Sequence, residues 1–278
     1  MAFVARNMYQ STRLGEGFRQ DAEKYSAYLE TPEGRLRTDL AFAGLREFLP
    51  VPSSKRPLRA LDIGGGTGAA AVRLAGLGAE VSLLDSSAAM LEMAKLTAGA
   101  AGFTGDIIMR CGDATEVEEL FPGESFDVVL CHNVLEYVDH PDAVIAGAAR
   151  LLRTDSPSLI SILVRNRAGE VLKAAIQAGD LVSAERALTA DCVVESLYGG
   201  QVRLFTPDHF EPVFSEASLE VIARRGVRVL ADYLPSTIDR EAEYERIFEL
   251  ERKLGGRPEF AAVARYTHHL LRLKESDE

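Results

Sequence analysis

Residues 58–68 read Leu58-Arg59-Ala60-Leu61-Asp62-Ile63-Gly64-Gly65-Gly66-Thr67-Gly68. Leu58, Ala60, Leu61 and Ile63 form a short apolar run after Pro57, the pattern of a buried parallel strand. The glycines then force a tight turn, and Ala69–Leu77 continues as an alanine-rich helix. A strand, a turn without side chains and a helix N-terminus make a nucleotide-binding corner. Backbone can approach a ligand there, and free N–H groups are expected to face it.

Downstream, strands and helices alternate. Ala79–Leu84 is expected as a second strand ending on Asp85, with the helix Ala88–Ala98 behind it. Ile107–Met109 and Ser125–Cys131 follow as strands, the first leading to Asp113 and the second to His132. Asp142–Leu152 reads as a helix and Leu159–Val164 as a fifth strand. This alternation predicts an α/β doubly wound parallel sheet, whose ligands lie beyond the carboxyl ends of the strands. The glycines, Asp85, Asp113 and His132 all fall at such ends.

An acid about twenty residues past the glycines suits a ribose diol, and Ser86 or Ser87 then caps the following helix. Gly64–Ala69 also satisfies a relaxed dinucleotide pattern, so a nicotinamide cofactor competes. Against it, Asp62 sits two residues before the glycines, where a carboxylate repels pyrophosphate. Asp113 is placed to accept from an adenine amino group, and no second glycine turn follows residue 150. A sulfonium nucleoside carries positive charge and no phosphate, so the residues favour S-adenosylmethionine over a dinucleotide.

At the N-terminal side, Glu16–Glu30 suggests a short helix. Thr31-Pro32 starts another, with threonine as cap and proline at the first position, running to Leu49. Its apolar residues fall in two sectors, Leu36, Leu40, Ala43 and Phe42, Leu45, Leu49, as in a lid packed on two sides, with Arg37 between them. Pro50, Pro52 and Pro57 with Ser53-Ser54 make a linker. After the fifth strand, Ala168–Ala178 and Leu181–Thr189 read as two helices of a cap above the site, and Tyr198-Gly199-Gly200 as a loop. Thr206-Pro207 is expected to open a helix. Leu219–Leu230 and Ala261–Leu273 read as strands around the helix Asp239–Leu254, and Lys274–Glu278 as a polar tail.

The 278 residues, 47% hydrophobic and 26% charged, have globular composition. A net charge of −11 disfavours non-specific nucleic-acid binding; Arg165, Arg167, Lys173 and Arg203 could still form a local basic rim beside the cap. Three cysteines without paired spacing argue against a disulfide framework, and five histidines without ligand spacing predict no metal. No stretch has the length or apolarity of a membrane span or signal segment, so a cytoplasmic protein is expected.

Leu61–Gly68 resembles motif I of class I S-adenosylmethionine-dependent methyltransferases. More narrowly, the chain resembles the bacterial tRNA 5-carboxymethoxyuridine methyltransferase family over about residues 25–270. The similarity rests on Gly34-Arg35-Leu36-Arg37, the glycine motif, Leu84-Asp85 with Met90, Cys131–Glu136, Asn166, Gly226–Val229 with Asp232-Tyr233-Leu234, Glu249-Leu250-Glu251, and Arg265-Tyr266 with His268. It implies a Rossmann-like class I sheet, mostly parallel with an antiparallel last strand, carrying a helical cap insertion in a single domain. Lid helices then fall in residues 1–50, the cofactor core in 51–164, the cap in 165–205, and the C-terminal part of the sheet in 206–278 with helix 239–254.

The resemblance implies cofactor contacts from Arg37, Gly64-Gly65, Asp85, Asp113-Ala114 and His132. Asp62, Gly66, Gly68, Ser86 and Met90 complete the candidate set. Arg37 would grip the cofactor's methionine carboxylate with its planar fork. The implied acceptor is a carboxylate on a tRNA wobble uridine, giving a methyl ester; a small-molecule acid is the alternative. An ionised carboxylate needs alignment and dehydration more than a base, so no general base is assigned. The chain departs from the family in having Arg165 where an aromatic precedes the cap asparagine, and in residues 168–205.

Overall fold

A computed structural model of the chain describes residues 21–51, 56–103, 105–195, 197 and 199–274. The expectations for Glu16–Gln20, Pro52–Ser54, Tyr198 and the tail beyond Lys274 lie outside them. Two helices lead: α1 over residues 21–30 and α2, Pro32–Arg46. Thr31 caps α2 as its sequence predicts, its hydroxyl accepting from the Gly34 amide. The alternation then runs β1 (Arg59–Ile63), α3 (Ala69–Ala75), β2 (Glu80–Asp85), α4 (Ala88–Ala100), β3 (Ile107–Cys111), α5 (Val117–Leu120), β4 (Val128–His132), α6 (Pro141–Arg150) and β5 (Leu159–Arg165).

The cap holds α7 (Arg167–Leu172), a π turn at Lys173–Gln177, α8 (Leu181–Ala187) and a two-stranded hairpin of β6 (Cys192–Val194) and β7 (Gln201–Arg203). The hairpin was not anticipated: its strands are three residues each, too short to show a period. Next come α9 (Glu211–Glu216), β8 (Leu219–Val227), α10 (Tyr244–Gly255), α11 (Pro258–Ala261) and β9 (Tyr266–Leu273).

Four boundary expectations are corrected. The helix expected over Asp239–Leu254 begins only at Tyr244, after turns in which the Glu243 amide donates to the Asp239 carbonyl and the Tyr244 amide to the Glu241 carbonyl. Thr206-Pro207 opens a turn, in which the His209 amide donates to the Thr206 carbonyl, and the helix waits until Glu211, with Pro212 in its first turn. Ala261–Leu273 is not all strand, because Pro258 starts a short helix that ends at Ala261. The strand from Leu219 stops at Val227 because Arg228 adopts a left-handed φ of 60°.

The sheet order is β3-β2-β1-β4-β5-β9-β8. β1 to β5 pair in parallel, while β9 lies antiparallel between β5 and β8. The order reverses between β1 and β4, which opens a crevice at their carboxyl ends. Residues alternate across the sheet: Leu61, Ile63, Val129 and Cys131 face a core with Phe121, Phe126, Phe210 and Phe214, while Ala60, Val128 and Leu130 face α3 and α4. The two sectors of α2 reach different partners. Leu36 and Leu40 join Ile247 and Tyr266, whereas Leu45, with Phe42 and Leu49, joins the α3–α4 side. No helix among the described residues is long and apolar enough to cross a membrane.

Candidate active site

The glycine corner is held by its own amides. Gly64 and Gly65 donate to the Leu84 carbonyl at 2.7 and 3.1 Å, Gly66 donates to Asp85 Oδ2 at 2.9 Å, and Gly68 donates to the Gly65 carbonyl at 2.9 Å. These four glycine amides therefore do not face a ligand: three fasten β1 to β2 and the fourth closes the turn. Glycine is required at 64, where φ is 64° and a Cβ would lie 2.2 Å from Val134 Cγ2.

A cavity of about 830 Å³ lies beyond these strand ends. Arg37, Gly64, Gly66, Asp85, Ser86, Met90, Asp113, Ala114 and His132 all line it. Asp62, Gly65 and Gly68, read from sequence as part of the same set, do not. Asp62 and Gly65 border an adjoining space of about 50 Å³ behind the turn, and Gly68 packs against Ala94. Successive β1 residues face opposite sides of the sheet, so Asp62 points under the turn. Its burial, with Asp85 nearby, pushes the carboxyl up to about 7 against the Ala71 amide.

Asp85 accepts from Ser87 through Oδ1 at 2.8 Å and from Gly66 through Oδ2. Ser87, not Ser86, caps α4, by accepting from the Met90 amide. Burial raises Asp85, opposed by the Ser87 and Gly66 amides, and each oxygen keeps a lone pair for a ligand hydroxyl. Asp113 spends Oδ1 on the Thr115 hydroxyl and amide, which hold its carboxyl low.

Arg37 is buried at 6% exposure. Its guanidinium donates to the Tyr25 hydroxyl at 2.8 Å and lies 5.1 Å from the Tyr28 ring centroid and 5.9 Å from that of Tyr266. No carboxylate lies within ion-pair distance of it among the described residues. A buried cation ringed by phenols and lacking a counter-ion is set to take an anion.

The opposite wall is richer in arginine than the sequence suggested. Arg165, Arg228 and Arg37 place their guanidinium carbons 6.0, 5.9 and 5.9 Å from the Tyr266 ring centroid. Burial would raise the Tyr266 phenol, but Arg165, Arg228, Arg37 and Arg265 outweigh it and bring it down to about 8. Arg228 pairs with Asp232, and Arg265 pairs with Glu170 and Asp232.

The basic rim expected beside the cap is largely neutralised. Arg165 meets Glu195 at 3.2 Å, Arg167 meets Asp191 at 2.8 Å, Lys173 meets Glu170 at 3.8 Å, and Arg203 donates to the Val138 carbonyl. Only Arg165 and Lys173 of the four line the cavity.

His132 closes the floor. Burial and the Arg37 charge bring it down to about 3, so the ring is neutral. Its Nε2 is 2.7 Å from Ser161 Oγ, which is 2.7 Å from His268 Nε2. Sequence reasoning gave no role to Tyr25, Tyr28, Ser161, Glu195 or Tyr266. Ser161 carried a signal as a polar residue inside the apolar run Leu159–Val164, and Tyr266 only as part of the family resemblance.

A sheet of this order, with an acidic, glycine-lined corner at its switch point, is that of a class I S-adenosylmethionine-dependent methyltransferase, and the chain belongs to that family. The methyltransferase domain family matches residues 61–160. The chain is 28% identical to the tRNA 5-carboxymethoxyuridine methyltransferase of Escherichia coli, over 92% of this chain and 96% of that protein. It is 32% identical to a ubiquinone biosynthesis O-methyltransferase of Mesorhizobium japonicum, over 69% and 74% of the two chains. Among solved structures, a possible histamine N-methyltransferase of Thermotoga maritima shares the fold, with a TM-score of 0.59 at 16% identity, covering 93% of this chain and 99% of that one. The cofactor is S-adenosylmethionine, and the lining suits it: Asp85 and Asp113 stand at the strand ends, and Arg37 is a buried cation with no carboxylate partner among the described residues.

Proposed function

We propose that this enzyme methylates a carboxylate oxygen, on an acceptor carried by a modified tRNA wobble uridine. The observation that carries the carboxylate is the wall around Tyr266, where three guanidinium groups lie within 6.0 Å of one buried ring. The RNA part is supported by likeness to the Escherichia coli enzyme along almost the whole chain. Such an acceptor belongs to the cytoplasm.

In this reading Asp85 takes the ribose diol, Asp113 the adenine amino group and Arg37 the methionine carboxylate, with Ser86, Met90 and Ala114 walling the nucleoside. The bound cofactor supplies a methyl group activated by its sulfonium charge. An S–C bond breaks as an O–C bond forms, giving a methyl ester and the thioether, and no proton moves. The protein needs no base; it aligns the acceptor oxygen and strips its water, which the arginine wall favours by replacing hydration with fixed charge. Arg165 is the arginine nearest the cap, and the approach of an anionic acceptor exchanges part of its pairing with Glu195.

A small-molecule acid is the second reading, favoured by the ion pairs of Arg165, Arg167 and Lys173, which leave few free cations for phosphates. The two are separated by incubating the enzyme and labelled cofactor with tRNA bearing 5-carboxymethoxyuridine, or with a small-molecule extract, across a salt series. Base-labile label in tRNA, falling steeply with salt, supports the RNA acceptor. Label confined to small acids, with a shallow salt slope, overturns it.

A further inference from the structure

Ser161 is fully buried in β5, between a histidine of β4 and a histidine of β9. Leu163 stands directly opposite both His132 and His268 in the ladder, and Ser161, two residues earlier on the same face, reaches both rings. The rings cross edge to face, with centroids 5.5 Å apart. Both Nε2 atoms lie 2.7 Å from one hydroxyl. That hydroxyl has a single proton and, being buried, no third partner among the described residues to take it, so it donates to one ring and accepts from the other.

The far edge of His268 decides which. Its Nδ1 is buried with no partner among the described residues. It abuts α2 at Gly44, where a Cβ would lie 3.2 Å from Nδ1 and 3.3 Å from Arg225 Cδ. If Ser161 donated to His268, the ring's own proton would sit on this edge, stranded without an acceptor. A buried N–H without a partner is rarer and costlier than a buried lone pair. The Arg225 charge adds a preference for the lone pair, and burial keeps both rings neutral.

We infer that the row runs His268 Nε2–H to Ser161 Oγ and Ser161 O–H to His132 Nε2, so that His132 offers an Nδ1–H donor to the cavity. His132 lines the cavity, and among the described residues only its Nε2 edge is hydrogen-bonded by protein. The donor stands beside Arg37, and the two suit a shared oxygen anion, the carboxylate end of the cofactor. Ser161 and His268 are then positioning residues: they touch no ligand and act by fixing the tautomer of the ring that does. The ligand part of the inference rests on the cofactor assignment made above; the tautomer part does not.

The test is long-range proton–nitrogen NMR of the ligand-free protein labelled with ¹⁵N-histidine. His132 is expected in the Nδ1–H form and His268 in the Nε2–H form; the reverse pair of tautomers overturns the inference whether or not cofactor binds. In Ser161→Ala, His132 should move to the Nε2–H form that an unconstrained ring prefers, and S-adenosylmethionine affinity should fall roughly threefold to tenfold, the scale of one hydrogen bond. Turnover at saturating cofactor should change little. Ser161→Thr keeps the hydroxyl and should restore both tautomer and affinity. An unchanged His132 tautomer in Ser161→Ala overturns the relay. A changed tautomer with wild-type affinity overturns the role of His132 as a donor to the cofactor.

Discussion

The two ends of the cavity are built in opposite ways. The end proposed for the nucleoside comes from the successive carboxyl ends of β1, β2 and β3, which contribute Gly64 and Gly66, Asp85-Ser86, and Asp113-Ala114. The end proposed for the acceptor is assembled from Arg37 on α2, Arg165 at the end of β5, Arg228 after β8, and Arg265-Tyr266 at the start of β9. The first is acidic, its glycine amides spent on the turn. The second is cationic, with charges that are paired except at Arg37. A motif can encode the first because strand order brings neighbouring loops together. No motif encodes the second, since its members are up to 229 positions apart, from Arg37 to Tyr266.

Arg37 joins the two ends, and removing it tests the contrast most severely. Arg37→Ala should weaken S-adenosylmethionine binding by about 3 kcal/mol, near the top of the range for a charge-assisted bond, measured by calorimetry. Arg37→Lys keeps the charge without the planar fork and should recover only part of the loss. Wild-type affinity in Arg37→Ala would move this residue wholly to the acceptor end.

Tyr266 gives a smaller and pH-dependent effect. Its phenol ionises near pH 8 in the fold, against about 10 in an unfolded chain. Between these values the unfolded state holds a proton that the native state has lost. Tyr266 therefore adds stability as pH rises from about 8 to about 10, and this contribution is gone once pH falls below 8. Acceptor binding has the opposite sign, because a tyrosinate competes for the arginines a carboxylate requires. Acceptor KM should rise above pH 8 by at most about tenfold per pH unit, and Tyr266→Phe should remove the inflection. An unshifted KM profile would detach Tyr266 from the acceptor.

The smallest effect is expected at the rim. Arg167 is paired with the exposed Asp191, so Arg167→Glu should cost less than about 1 kcal/mol in thermal stability. It should also leave cofactor affinity unchanged. If it nonetheless abolishes methylation of tRNA, the pair opens to bind phosphate, and the acceptor end extends onto the cap.

Local chemistry made the first half of the fold legible. Thr31-Pro32 marked the start of α2, the glycine run marked the turn after β1, and short apolar runs separated by helical periods marked the parallel strands. It failed where tertiary packing overrode local signals: Thr206-Pro207 is a turn because helix α9 starts only after Phe210, a fully buried ring packed beside Phe205 and Phe214. The acids and glycines of the nucleoside end were named from spacing alone. Their division was not, since only the backbone shows Asp62, Gly65 and Gly68 turned away behind the corner.

The sequence by itself determined the sheet, its switch point and the acidic corner, because these depend on residue type and on separations of a few turns of chain. Tertiary structure alone decided that the glycine amides of the turn are consumed internally, that Arg165, Arg167 and Lys173 are ion-paired, and that Arg37 is buried among phenols without a counter-ion among the described residues. Charge state and hydrogen-bond direction depend on what lies within a few ångströms. For Arg37, Ser161 and Tyr266 those neighbours come from strands and helices far away in the chain.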